Sequence, residues 1–174
     1  SIREFTTGDD ATCERILRAL PQWFGIESSL VQYVGDTRRM PTWIADCDGT
    51  ASGFVTLHEH NSRAAEIHCI AVLPGHHRHG IGRFMVSYAQ DHLRRRRFQY
   101  LQVKTLGPSR PNAEYALTRL FYESMDFVAL EEFQYLGKAN PAFPSVFQLI
   151  CDTMLSKRNV MVNLCGSLIS LVQS

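Results

Sequence analysis

The run Glu66-Ile67-His68-Cys69-Ile70-Ala71-Val72-Leu73-Pro74-Gly75-His76-His77-Arg78-His79-Gly80-Ile81-Gly82-Arg83 changes character twice. Ile67 to Leu73 is short, apolar and closed by Pro74-Gly75, which predicts a strand buried on both faces. From Ile81 onward the apolar residues Ile81, Phe84, Met85, Tyr88, Ala89 and Leu93 fall at three-and-four spacing, which predicts an amphipathic helix. Between the two stand Gly80 and Gly82, which let a ligand come close to the backbone. A helix start leaves amides without in-helix acceptors and carries the positive end of the dipole, and here Arg78 and Arg83 flank it. These features predict an anion site, for phosphate above all.

In its order of strand, proline, Gly-x-Gly loop and helix, the stretch resembles motif A of the GNAT superfamily of N-acetyltransferases. There a Gln/Arg-x-x-Gly-x-Gly/Ala loop holds the pyrophosphate of acetyl-CoA. Gly80 and Gly82 match the motif. His77 stands where the family usually has Gln or Arg, which weakens one anchor and keeps the backbone cradle. The resemblance implies an α/β fold of GNAT type: a mixed sheet with an antiparallel N-terminal meander and a parallel central strand pair splayed into a cofactor cleft. It implies acetyl-CoA as co-substrate, with His77, Arg78, His79, Gly80, Ile81, Gly82 and Arg83 around the diphosphate. Ile70, Ala71 and Val72 would pair by backbone with the pantetheine arm, as an added strand does.

The rest of the chain narrows the class. Its 174 residues suit one domain with a proper core, and a net charge of +1 argues against bulk electrostatic capture of nucleic acid or membrane. Five scattered cysteines do not suggest a disulfide framework. There is neither a secretory leader pattern nor an apolar run long enough to span a bilayer, and a reducing, cytoplasmic setting is expected.

Ile2-Arg3-Glu4-Phe5 alternates like an edge strand. Thr7-Gly8-Asp9-Asp10 offers caps for a helix through Cys13, Ile16, Leu17 and Leu20 that stops near Pro21. Gln22 to Gly25 reads as a bend and Glu27 to Val34 as a second helix. By the resemblance Trp23, Phe24 and Tyr33 are candidates for the acceptor pocket, against a plainer role as core residues. Thr42 to Asp48 and Ala51 to His60 are strands joined at Asp48-Gly49, a hairpin signal. His58, His60, Glu66 and His68 come near one another across the next hairpin. A metal site is one reading of them, but no zinc-type ligand spacing is present, and polar lining of a cleft is the other.

The helix after Gly82 runs into Arg94-Arg95-Arg96-Arg97. Nucleic-acid binding is one reading and predicts steeply salt-dependent affinity; a cationic, solvated helix end that complements the dipole is the other. Tyr100 to Leu106 reads as the next strand, parallel to the Ile67 strand because a helix separates them. Ala113 to Met125 reads as a helix with Ala116, Leu117, Leu120, Phe121 and Met125 inward. Its end, Phe121-Tyr122-Glu123-Ser124-Met125-Asp126-Phe127, resembles the family's Phe-Tyr-x-x-x-Gly-Phe, with Asp126 in place of glycine at a left-handed cap. Val128 to Tyr135 and Val146 to Met154 read as strands. Residues 1–154 are thus expected to form the acetyltransferase domain. Residues 155–174 are an apolar tail outside the resemblance, read as an extra strand, a homodimer contact or a poorly packed segment.

An amine acceptor arrives as an ammonium and must lose a proton before it attacks a thioester, so a base has to stand within reach. By resemblance to the family's Glu-Ile-x-x-x-Ala-Val/Ile, Glu66 is that base, with His68 or His58 competing. Tyr122 is by resemblance the acid for the departing thiolate. A strand amide near Ile70 to Val72 would stabilise the oxyanion. Asn112 is a candidate for the pantetheine arm or, more simply, a helix cap. Cys69 as an acyl carrier is disfavoured, since a buried strand cysteine is inert. The expected function is direct transfer of acetyl from acetyl-CoA to a primary amine, of a small molecule before a protein. A CoA-binding sensor or partner-binding module without turnover is the alternative.

Overall fold

The computed structural model describes residues 1–107, 111–131 and 161–165, with side chains over 1–107 and 111–127. The chain divides into two units, Ser1–Phe98 and Gln99–Ser174.

In the first unit, strands β1 (Ile2–Glu4), β2 (Thr42–Cys47), β3 (Thr50–Glu59) and β4 (Ala64–Val72) pair in sequence order, each antiparallel to the next. This is the meander expected. Asp48 and Gly49 take φ of 50° and 77°, the two-residue hairpin turn that their identity predicts. One face of this sheet carries α1 (Asp9–Arg18), α2 (Pro21–Phe24) and α3 (Glu27–Thr37). Cys13, Ile16 and Leu17 of α1 and Leu30 of α3 pack with Ile44, Phe54, Cys69 and Ala71 in one buried cluster. Two boundaries differ from the sequence reading. The bend at Gln22 to Gly25 is instead the short helix α2, opened by Pro21, whose fixed φ suits a first helical position. Helix α3 runs a turn past Val34, to Thr37.

The other face carries α4 (Ile81–Arg95), entered through a 3-10 turn at Pro74–His76. Trp43 of β2 meets Tyr88 and His92 of α4 with ring centroids 5.6 and 4.7 Å apart. The close seat of α4 depends on Gly53, where a Cβ would lie 2.8 Å from the Ala71 carbonyl oxygen and 3.1 Å from Met85 Cε. Met85, Val86, Ala89 and Leu93 are buried as the helical spacing requires, whereas Phe84, expected on that stripe, is exposed. Arg96 pairs with Glu59 and Arg94 with Asp91, so two of the four consecutive arginines are held by acids of the unit's own surface.

Strand register matters most at the end of β4. Thr56 pairs with Cys69 and Leu57 with Ile67, so His68 is an extra residue without a cross-strand partner, a β-bulge. A bulge turns two successive side chains toward one face. His68 therefore joins Cys69 on the face covered by α1 and α3, together with Glu66, whose partner across the ladder is His58.

In the second unit, β5 (Tyr100–Thr105), β6 (Phe127–Glu131) and β7 (Met161–Cys165) are parallel, with β7 paired to both. Met161–Cys165 thus realises the strand reading of the apolar tail; Val146 to Met154 lies outside the described residues. Helix α5 (Ala113–Glu123) precedes β6. Its inner face differs in part from the one the spacing predicts: Leu117 and Leu120 are exposed and Tyr122 is buried, while Met125, just past the helix, is buried as expected. The apolar positions of α5 wrap further round the helix than one buried stripe can use.

Candidate active site

The backbone between β4 and α4 takes the turn-to-helix form that the Gly-x-Gly stretch suggests. After β4 the chain makes its 3-10 turn, His77 is extended, Arg78 takes φ 62° and Gly80 φ 80° as the N-cap of α4. The amides of Ile81 and Gly82 fall in the first turn of α4, which a helix leaves without in-helix acceptors. A Cβ built on Gly80 meets nothing within 4 Å, so the backbone there faces open space. Arg78, His79 and Arg83 are exposed around it. Left-handed residues, helix-start amides and three basic side chains fit a diphosphate. His77 is arranged differently from the Gln or Arg of the motif. Its Nε2 donates to the Val72 carbonyl at 2.7 Å and its ring stands edge-on to Trp23, centroids 6.2 Å apart, which ties the loop to the end of β4.

The second assembly lies on the α3 face of β3 and β4. Glu66 is 4% exposed, and its Oε2 lies 3.0 Å from His60 Nε2. His68 Nε2 lies 2.9 Å from Asp36 Oδ2 in the last turn of α3. His58 sits between the two pairs, its ring 4.4 Å from that of His60 and 6.2 Å from that of His68. Tyr33 meets His68 at 5.3 Å and Phe24 at 5.7 Å, so a row of rings runs from α2 to the β3–β4 turn. The four residues expected to come near one another do so: Glu66 pairs with His60, His68 pairs with Asp36, and His58 stands between the pairs. Among the described residues no three His, Cys, Asp or Glu side chains are placed to hold a metal ion. Trp23, Phe24 and Tyr33 also pack against the core cluster, so for them the pocket and core readings overlap.

Asp36 escaped the sequence reading. Its signal was an acid in a helix's last turn, where the dipole disfavours negative charge unless a partner offsets it. The partner, His68, reaches it only because of the bulge, which no local pattern announces.

In the second unit Tyr122 is 2% exposed, its ring 5.1 Å from Phe121 and 5.0 Å from Phe127. Asn112 is the N-cap of α5, its Oδ1 accepting from the Tyr115 amide at 3.0 Å, as the capping reading holds. Asp126 takes φ 62°, the left-handed conformation expected of the residue in the motif's glycine position. Arg119 Nη1 donates to the Leu106 carbonyl at the end of β5. Thr105 Oγ1, also there, is buried with no hydrogen-bond partner among the described residues, a second residue the sequence did not mark.

The cysteine chemistry is plain. Cys69 and Cys13 are buried and free, and burial pushes the Cys69 thiol up and the Cys13 thiol up to about 12. Neither is a ready thiolate.

Comparison with solved structures places this architecture. One similar chain is a protein of Desulfovibrio desulfuricans described as an acetyltransferase of the GNAT family, with TM-score 0.64 and 20% identity over 75% of this chain and 85% of that one. The ribosomal-protein-S18-alanine N-acetyltransferase of Escherichia coli gives 0.58 and 21% over 72% and 75%. The PaiA N-acetyltransferase of Thermoplasma acidophilum, solved with coenzyme A, gives 0.61 and 16% over 75% and 91%. A search of curated protein sequences returns no match. The shared fold is the mixed α/β one inferred from the sequence, and acetyl-CoA is the co-substrate. The Acetyltransferase (GNAT) family model matches residues 11–127, and the chain belongs to that family.

Proposed function

We propose that the chain is an N-acetyltransferase that moves acetyl from acetyl-CoA directly to a primary amine of a small molecule. The observation that carries this is Glu66, a buried carboxylate hydrogen-bonded to an imidazole on the strand that runs into the anion cradle. The cradle of Arg78, His79, Gly80, Ile81, Gly82 and Arg83 takes the diphosphate, and His77 braces it from the end of β4. The backbone of Ile70, Ala71 and Val72 takes the pantetheine arm and offers an amide to the oxyanion. Asn112, whose oxygen is engaged as a cap, has its amide nitrogen for the same arm. Glu66 removes the ammonium proton, the amine attacks the thioester carbonyl, and Tyr122 protonates the thiolate as it leaves, recovering its own proton from the nitrogen as the amide forms. Residues 1–154 make up this domain together with β7, which pairs with β5 and β6, and the free cysteines suit a reducing cytoplasm.

A small acceptor is favoured because α3 closes over this end of the sheet. Tyr33 and Asp36 both touch His68, and Glu66 on the same face is buried, which favours a short acceptor over a chain lying across it. The test is thiol release from acetyl-CoA over a panel of small amines, including polyamines and amino acids, set beside peptides with free N-termini and lysines. Turnover of small amines, lost in Glu66→Gln by roughly a hundredfold or more, is expected. Turnover of peptides alone would overturn the acceptor class. Binding of acetyl-CoA with no thiol release from any acceptor would instead mark a CoA-binding module.

A further inference from the structure

Acetyl transfer from a thioester to an ammonium releases one proton to solvent per turnover. The ammonium nitrogen begins with three hydrogens and the amide keeps one. One of the other two ends on the CoA thiol, and the last must reach water. A base at the surface sheds it directly. Glu66, at 4% exposure, does not face bulk water, and once protonated it has to be emptied before the next acceptor can be deprotonated.

Three imidazoles share its face of the sheet, and His60 combines a hydrogen bond to it with an exposed side. His68 is engaged by Asp36 from α3 and by the Tyr33 ring. His58 is half-buried between the other two rings. His60 has Nε2 3.0 Å from the Glu66 carboxylate and a side chain 27% exposed. It is the first residue after β3, and the turn that follows, Asn61, Ser62 and Arg63, is exposed throughout. The charged and titratable groups around His60 are Glu66 from β4, His58 from β3, Asp36 of α3 beyond His68, and Arg63 in the turn. Glu59 is paired to Arg96.

We propose that His60 is the proton exit of this active site, a relay that empties Glu66 into water at the β3–β4 turn. The inference rests on Glu66 being the base. In each turnover the O–H bond on Glu66 breaks and an N–H bond forms at His60 Nε2. The imidazolium then gives its Nδ1 proton to water, and exchange with solvent restores the starting tautomer. No electron pair leaves the site and no co-reactant is needed.

The experiment compares wild type, His60→Ala, His60→Gln and Glu66→Gln under saturating acetyl-CoA and amine. His60→Gln keeps a hydrogen bond to Glu66 and cannot relay. Both His60 variants should lower kcat by roughly tenfold or more, with KM for acetyl-CoA and thermal stability near wild type. The solvent deuterium isotope effect on kcat should rise. Free imidazole should restore His60→Ala in proportion to its concentration and should not restore Glu66→Gln. Wild-type kcat in His60→Gln, or a loss in His60→Ala that imidazole leaves untouched, overturns the relay while Glu66 stands. Full activity in Glu66→Gln overturns the base, and the relay with it.

Discussion

Thr105 is the described residue whose chemistry is least explained by the fold alone. A buried hydroxyl without a partner costs on the order of 1–3 kcal/mol, so a protein that keeps one gains something in another state. The end of β5 is near in sequence to the Arg119-held carbonyl of Leu106, and a ligand oxygen or amide there would complete the hydroxyl. Thr105→Val removes the orphan at nearly constant shape. It should stabilise the free protein by about 1 kcal/mol, or roughly 2–4 °C in Tm for a chain of this size. It should also reduce the further stabilisation that acetyl-CoA confers, because only wild type gains a bond on binding. A variant no more stable than wild type, with an unchanged acetyl-CoA shift, would show that the hydroxyl costs nothing and does nothing. Residue-level prediction from sequence fails for Thr105 and Asp36 alike for one reason. Whether a polar side chain is satisfied depends on what lies across a sheet or under a helix, and neither neighbour is written near it.

At the scale of elements the sequence was far more explicit. Apolar runs, the Asp48-Gly49 hairpin signal and three-and-four spacing located β2, β3, β4, β5, α4 and α5 to within a few positions. Asp48-Gly49 and Asp126 declared their backbone conformations through their chemistry. The turn into α4, the proposed cradle, was legible because everything in it is local: strand end, turn, N-cap glycine and basic neighbours follow one another in the chain. The short helix α2 was not legible, since four residues carry no period. The inner face of α5 was misread because Leu117 and Leu120 are apolar yet exposed. The cradle makes a prediction of its own. Any L-residue at Gly80 pays about 1–2 kcal/mol for φ 80°, whatever its size. Gly80→Ala and Gly80→Leu should therefore lose similar stability, since nothing lies within 4 Å of the added Cβ to penalise bulk. Acetyl-CoA affinity should instead fall with size, Leu weaker than Ala by roughly tenfold, about 1.4 kcal/mol. Equal affinities in the two variants would place the diphosphate elsewhere.

At the scale of the whole molecule, the net charge of +1 at pH 7 gives little general repulsion near neutrality, and acid sensitivity begins there with particular groups. Two of them act in the same direction. His92 is held below the ordinary imidazole value, first by burial against Trp43 and then by Arg96. Asp9 is held far below the ordinary carboxylate range, chiefly by two hydrogen bonds from the Arg3 guanidinium at 2.7 and 2.9 Å, with the Thr6 amide and hydroxyl adding to them. A depressed pKa in the fold means that the unfolded chain takes up the proton first. Each group's contribution is therefore complete above its unfolded value and drains away as pH falls. For His92 that window opens below about pH 6.5, and for Asp9 below about pH 4. Tm should accordingly step down twice on acidification. Asp9→Asn, which takes the anion from the N-terminal turn and leaves Arg3 its bond to Asp46, should cost about 2 kcal/mol at pH 7, roughly 4–8 °C. Its deficit against wild type should narrow between pH 4 and pH 2, because protonation does to wild type what the substitution has already done. His92→Gln should flatten the upper step and leave the lower one. Thermal melts from pH 8 to pH 2 decide the matter: curves that stay parallel to wild type through both windows would mean that neither group couples proton binding to folding.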